Sequence, residues 1–200
     1  MSATEENDAL IALVEWIDLK FSGIELPTDE RSMLATGCFD VALEHQAAIA
    51  LLFRSGLYGS MFALLRVLTE SLVRGLWLLH SATDIELSKF KLGKIDKKFD
   101  VIVSEVEISI AATTLALSNL KSMAWKSMNG FTHTGFNQVA RRHSLDSVSP
   151  NYPESELSQS QTLAGALGLL AASQLGGLSK HPELVDAIVE QMRIYSKKDL

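Results

Sequence analysis

Residues Ser60–Leu79 read SMFALLRVLTESLVRGLWLL, an almost wholly apolar run interrupted by Arg66, Glu70 and Arg74. Each four-residue step advances a helix by about 40°, so the three charges share one narrow sector. The other positions are apolar on nearly every side, the composition of a helix at the centre of a bundle. A charge among buried side chains has to be paired, which makes this sector the first candidate for chemistry. The helix is expected over roughly 58–81, entered by a tight reversal through Ser55, Gly56 and Gly59.

Working toward the N-terminus, a helix is expected from Thr28 to about Arg54, with Thr28, Asp29 and Glu30 suiting a capped, acidic first turn. Leu34, Cys38, Val41, His45, Ala48 and Leu52 recur at alternating steps of four and three, which predicts its buried stripe. On that stripe His45 reads as a core histidine and Cys38 as a small apolar residue. An earlier helix over Glu5–Phe21 carries Leu10, Leu13, Val14, Ile17 and Phe21 on one face and is broken by Gly23 and Pro27.

On the C-terminal side, the lysine-rich stretch KFKLGKIDKK (89–98) reads as a short, solvated helix or turn. A long helix is then expected from about Asp96 to Lys126, because Phe99, Val103, Val106, Ile110, Thr113, Leu117, Leu120 and Ala124 keep the helical period. The β-branched run VIVSEVEISI suits a strand, but the period outlasts the usual strand. Asn129-Gly130 marks a helix end, and residues 131–153, with Gly135, Pro150 and Pro153, form an irregular connection of a length that is often functional. Two further helices are expected at about 155–176 and 182–197. The fold predicted for residues 1–200 is therefore a single all-α domain, a bundle of six to eight helices.

A hydrophobic content of 47% supports a sizeable core, while the formal charge of −6 argues against broad, sequence-independent binding to DNA or an acidic membrane. A local phosphate contact is still open. Cys38 is the only cysteine, so an intrachain disulfide is impossible and the compartment reads as reducing. The opening MSATEENDAL lacks the features of a secretion signal, which points to the cytoplasm. No residue from Leu157 to Ser179 is charged, but Gln159, Gln161, Thr162, Ser173 and Gln174 interrupt it, so a buried helix is expected rather than a membrane span. Its Ala164, Gly168, Ala172 and Gly176 form a small-residue stripe suited to close packing, inside the monomer or at a homodimer seam.

Two constellations could carry chemistry. In the first, one carboxylate, Glu70, faces two guanidiniums, and the surplus positive charge calls for solvent or an anion such as a phosphate. Its bland counterpart is an ion-pair ladder that pins neighbouring helices. The second is SMNGFTHTGFNQVARRH (127–143), which gathers Asn129, Thr132, His133, Asn137, Gln138, Arg141, Arg142 and His143. Histidine is the natural proton carrier near neutral pH, and the amides and arginines suit an oxyanion; a capped polar loop is the bland alternative. The sequence contains no Gly-rich phosphate loop, paired-cysteine motif or HExxH, so no metal site or cofactor is expected.

An arginine and a glutamate on a long apolar helix (LLRVLTESLVRGLWLL), followed some sixty residues later by SMNGFTHTG at the end of another, resemble a group of bacterial all-helical families that look HEPN-like. The resemblance covers about residues 45–178. Relatives in that superfamily include abortive-infection proteins and ribonucleases, so it implies a role in stress or phage defence, a homodimer, and RNA or a nucleotide as ligand. In the HEPN ribonucleases an arginine and a histidine four to six residues apart act without metal at a dimer interface. Arg74 and His80 are the matching pair here, with Gly75 where a polar residue is usual. The site expected instead combines Arg66, Glu70 and His133 as catalytic residues with Arg74, Asn129 and Arg141 as substrate-binding ones. His133 would take a proton from a ribose 2′-hydroxyl while Arg66 or Arg141 neutralises the phosphate. The competing reading is a non-enzymatic helical scaffold.

Overall fold

Capping residues set where the helices begin. Ser2 and Glu5 form a reciprocal capping box at the start of α1 (Ala3–Phe21), the Asp29 side chain accepts from the Ser32 N–H at the start of α2 (Glu30–Arg54), and a Thr83/Glu86 capping box opens α4 (Asp84–Lys91). Between them lies α3 (Tyr58–His80). The chain continues through α5 (Phe99–Ser109), α6 (Ala116–Thr132), the short α7 (Phe136–Ala140), α8 (Glu154–Leu178) and α9 (Pro182–Ser196). The computed structural model describes residues 1–144 and 146–196, with the side chains of Asn137 and Ser196 outside the described set. The expected last residue of α9, Lys197, also lies outside it. Among the described residues there are nine helices and no strand, only an isolated bridge between His143 and Val148.

The apolar run containing Arg66 is the central helix, as its composition requires. It packs against α2, α5, α6 and α8, and Leu68, Leu72, Trp77 and Leu78 are almost completely buried. The α2–α3 contact depends on a glycine: a Cβ on Gly75 would lie 2.5 Å from the Phe39 ring. Gly75 is thus a packing residue, which explains why no polar side chain follows Arg74.

The stripe expected on α2 is displaced by one position. Ala35, Phe39, Ala42, Gln46, Ile49 and Phe53 are buried, whereas Val41 is exposed and Cys38, His45 and Leu52 are only partly covered. Phe39 decides the register, because its ring fills the space above Gly75. Small residues on α8 then admit α2 and α9. A Cβ on Gly168 would overlap the Gln46 side chain at 2.1 Å, one on Gly165 would meet the Tyr195 hydroxyl at 1.9 Å, and one on Gly176 would meet Ile188 at 2.7 Å. The small-residue stripe is spent inside the chain. No helix of the described residues is long and apolar enough to cross a membrane.

The long helix expected over Asp96–Lys126 is two helices, which raises the count above eight. Ala111 adopts a positive φ of 47° and the chain reverses before Ala116. The reversal is secured by Glu107, a buried carboxylate near the end of α5, which accepts the Ser118 N–H at 2.9 Å and its hydroxyl at 2.5 Å in the first turn of α6. Folding back sets Phe99 of α5 against Trp125 of α6, with ring centroids 4.2 Å apart and planes 7° from parallel. Both halves then cover α3.

The lysine-rich junction is solvated at Lys89, Lys91, Lys94 and Lys98, and only Lys97 is drawn against the bundle. Lys97 bonds both oxygens of Glu105 at 2.8 and 2.7 Å, pairs with Glu86, and lies over Trp77, while Trp77 donates to Glu105 at 2.7 Å. Desolvation pushes the Lys97 pKa down, and the bonds to Glu105 and Glu86 more than offset it, holding the ammonium above its ordinary value.

Gly75→Ala should lower stability by about 1–3 kcal/mol through overpacking against Phe39, measured by urea unfolding. An unchanged midpoint would show that Phe39 moves aside freely.

Candidate functional site

Arg66 projects from α3 onto the last two turns of α6. Its Nε and Nη2 both donate to Glu70 Oε1, at 3.1 and 3.0 Å, within the same helix. Its Nη1 lies 3.1 Å from His133 Nε2, and its guanidinium carbon sits 4.9 Å from the centre of the Trp125 ring. Trp125, Asn129 and His133 are spaced i, i+4, i+8, so α6 offers one stripe to this seam. Thr132 adds a long contact to the Ala63 carbonyl at 3.5 Å. Arg66, Glu70 and His133, far apart in sequence, therefore meet.

A guanidinium has only donors, so in this arrangement His133 Nε2 accepts and the neutral ring carries its proton on Nδ1. His133 occupies the C-cap of α6, and the Arg66 cation beside that helix end is favoured by the carbonyl dipoles. Glu70 accepts both N–H groups on one side of the guanidinium and fixes its plane. Counting five guanidinium N–H groups, one on Nη1 and one on Nη2 remain after these contacts. The Arg66 and Glu70 side chains are 20% and 22% exposed, so the knot is half-buried at a seam rather than deep in the core.

The other expected residues divide. Arg74 is exposed and makes no ion pair or hydrogen bond among the described residues, so the predicted three-charge sector is a pair plus a solvent-facing arginine. Its field reaches Cys38, whose thiol is pushed up to about 11 by burial despite the opposing pull of Arg74. His80 bonds Gln174 at 2.9 Å, and six residues turn a helix so far that it points about 120° away from Arg74; the two form no joint site. Asn129 lies on the seam stripe with a buried Oδ1 that has no hydrogen-bond partner among the described residues.

Arg141 is elsewhere. It pairs with Glu156 and lines a cavity of about 450 Å³ between α3, α6 and α8, whose lining includes none of Arg66, Glu70 and His133. Asn137 contributes a side chain outside the described set. Three polar residues of the same connection, Gln138, Arg142 and Tyr152, crowd Gly59, where a Cβ would meet their polar atoms at 2.9–3.3 Å. Sequence spacing gave no signal for Glu156, which lies beyond the connection, or for Trp125 as the support of Arg66. Among the described residues no three His, Cys, Asp or Glu side chains gather as a metal site would require.

A model described as a family of unknown function, DUF6988, matches residues 39–198. The chain belongs to that family. The DUF6988 match spans α3 to α8 whole, and hence both the Arg66 seam and the cavity at Arg141. No curated protein and no solved structure matches the chain.

Two outcomes follow from this geometry. Arg66→Met should cost about 1 kcal/mol after allowance for screening at a part-exposed seam, and combining it with His133→Ala should cost less than the two separate losses, as read by chemical denaturation; strict additivity would place the histidine outside the cluster. Cys38 alkylation by iodoacetamide should stay slow at pH 8 and accelerate only near pH 11, with Arg74→Ala slowing it further. Rapid labelling at pH 8 would show that the thiol is not held by burial.

Proposed function

We propose that this DUF6988 protein is HEPN-like, acts in a bacterial stress or phage-defence pathway, and holds a phosphate of RNA or of a nucleotide at the α3–α6 seam. The contact between Arg66 Nη1 and His133 Nε2, 3.1 Å long, carries the reading. Glu70 and Trp125 hold the guanidinium in place, which keeps its remaining N–H groups for an incoming oxyanion. Arg74, exposed on the same helix, adds positive charge nearby.

The same contact suggests how chemistry could start. At rest the Nε2 lone pair is occupied by Arg66, which keeps the imidazole from acting as a base through that atom. A phosphate oxygen competing for Nη1 would free the lone pair. His133 then takes the proton of a ribose 2′-hydroxyl as that oxygen attacks the adjacent phosphorus, Arg66 neutralises the phosphate, and the P–O5′ bond breaks, the 5′-oxygen taking a proton from water, to give a cyclic phosphate end. Asn129, between Trp125 and His133 on α6, brings to the same stripe an amide oxygen without a hydrogen-bond partner among the described residues.

A second reading is favoured by the closure of the cluster on itself: Glu70 already neutralises Arg66, and His133 already accepts from it. In that case the three residues clasp α6 to α3 and the protein is a non-enzymatic interaction module.

Expression toxicity and cleavage of single-stranded RNA separate the two. His133→Ala should retain RNA binding and lose cleavage and growth arrest, whereas Arg66→Ala should lose binding as well. A fully active His133→Ala variant removes the nuclease reading, and RNA binding unchanged in Arg66→Ala removes the phosphate site. A scaffold would show lower thermal stability in both variants and no RNA-dependent signal in any of them.

A further inference from the structure

The cavity at Arg141 lies apart from the α3–α6 seam and has its own lining. Its floor is buried and apolar, made by Phe62 and Leu65 of α3, Met128 and Phe131 of α6, and the partly buried Leu163 of α8. The rings of Phe62 and Phe131 lie 4.8 Å apart and 19° from parallel. Its rim is polar: Arg141 and Asn151 come from the connection before α8, and Glu156 and Gln159 from the first turns of α8. A volume of about 450 Å³ falls within the range of small-molecule sites, and an apolar floor with a few convergent polar groups is their usual composition.

Charge decides the class of ligand. Arg141 Nη2 donates to Glu156 Oε1, so the rim carries one positive and one negative group already joined. An anion on the Arg141 N–H groups that Glu156 leaves free would lie beside that carboxylate, and a cation on Glu156 would lie beside the guanidinium. A neutral molecule with adjacent donors and acceptors along one edge can address both groups without separating them. The Gln159 amide adds two donors and an acceptor to the rim, and Asn151, whose Nδ2 donates to the His143 carbonyl at 3.5 Å, adds its second donor and its acceptor. Phe62 and Phe131 stack on each other and Tyr152 stacks on Phe62 with 5.4 Å between centroids, so the floor offers apolar surface rather than a free ring face.

We propose that this cavity binds a neutral heteroaromatic molecule of nucleobase or nucleoside size, its body against the apolar floor and its hydrogen-bonding edge on the Arg141–Glu156 pair. The inference is independent of the phosphate reading of the α3–α6 seam, since Arg66, Glu70 and His133 do not line the cavity. The two places share α6, which turns Met128 and Phe131 to one and Trp125 and His133 to the other.

Calorimetric titration of the full chain with adenosine and uridine as neutral probes, and benzoate as a planar anion, tests it. The neutral probes should bind at least about tenfold more tightly than benzoate, a difference of ~1.4 kcal/mol. Leu163→Trp, which fills the cavity from α8, should abolish binding while the helical circular dichroism persists. Glu156→Gln, which leaves Arg141 without its carboxylate, should raise benzoate affinity about tenfold and narrow the preference by that factor. Absence of neutral-probe binding at millimolar concentration, tighter binding of benzoate by the unaltered chain, or titrations unmoved by Glu156→Gln would overturn the proposal, the last even if the tryptophan variant does not fold. AMP distinguishes the two sites: binding that survives Leu163→Trp and disappears in Arg66→Ala belongs to the seam.

Discussion

The Arg66 guanidinium on the mostly apolar α3 governs how this bundle closes. α3 is covered by α2, α5, α6 and α8, and Arg66 must satisfy its donors at the one margin where solvent is near. Glu70 answers part of that demand from the same helix, and His133 answers another part from the end of α6. An unpaired charge there would forgo several hydrogen bonds and much of its hydration. The pairing consequently ties the end of α6, with its exposed carbonyls, to the middle of α3.

From that tie the placement of neighbouring elements follows. Trp125 lies beneath the guanidinium and also stacks on Phe99, so α5 is fixed by the same column that supports Arg66. The sharp reversal between α5 and α6 brings Glu107 to Ser118, replacing the hydrogen bonds that a continuous helix would have made. With α6 held in this way, its other side walls the cavity that Arg141 and Glu156 border.

The all-helical class, α1, α3 and the approximate extent of α8 and α9 were legible because long apolar periods leave few alternatives. The meeting of Arg66, Glu70 and His133 was legible because isolated charge in an apolar helix demands partners and few polar residues were on offer. Other features depend on tertiary information. A heptad-like period through Ile110 and Thr113 cannot reveal that the chain reverses there, since each half keeps its own apolar face after the turn. The α2 stripe was misplaced by one residue because two overlapping stripes exist, and only Phe39 against Gly75 selects between them. Arg74 shares spacing with Arg66 but leans toward solvent, and Arg141 found Glu156 across the connection before α8, a pairing with no sequence period to announce it.

The central claim is the hydrogen bond between α3 and α6, and nitrogen NMR of the His133 ring measures it most directly. At a pH where the imidazole is neutral, donation from Arg66 to Nε2 requires the proton on Nδ1. The account predicts that tautomer for His133 and its loss in Arg66→Ala. A ring protonated on Nε2 in the unaltered protein would contradict it.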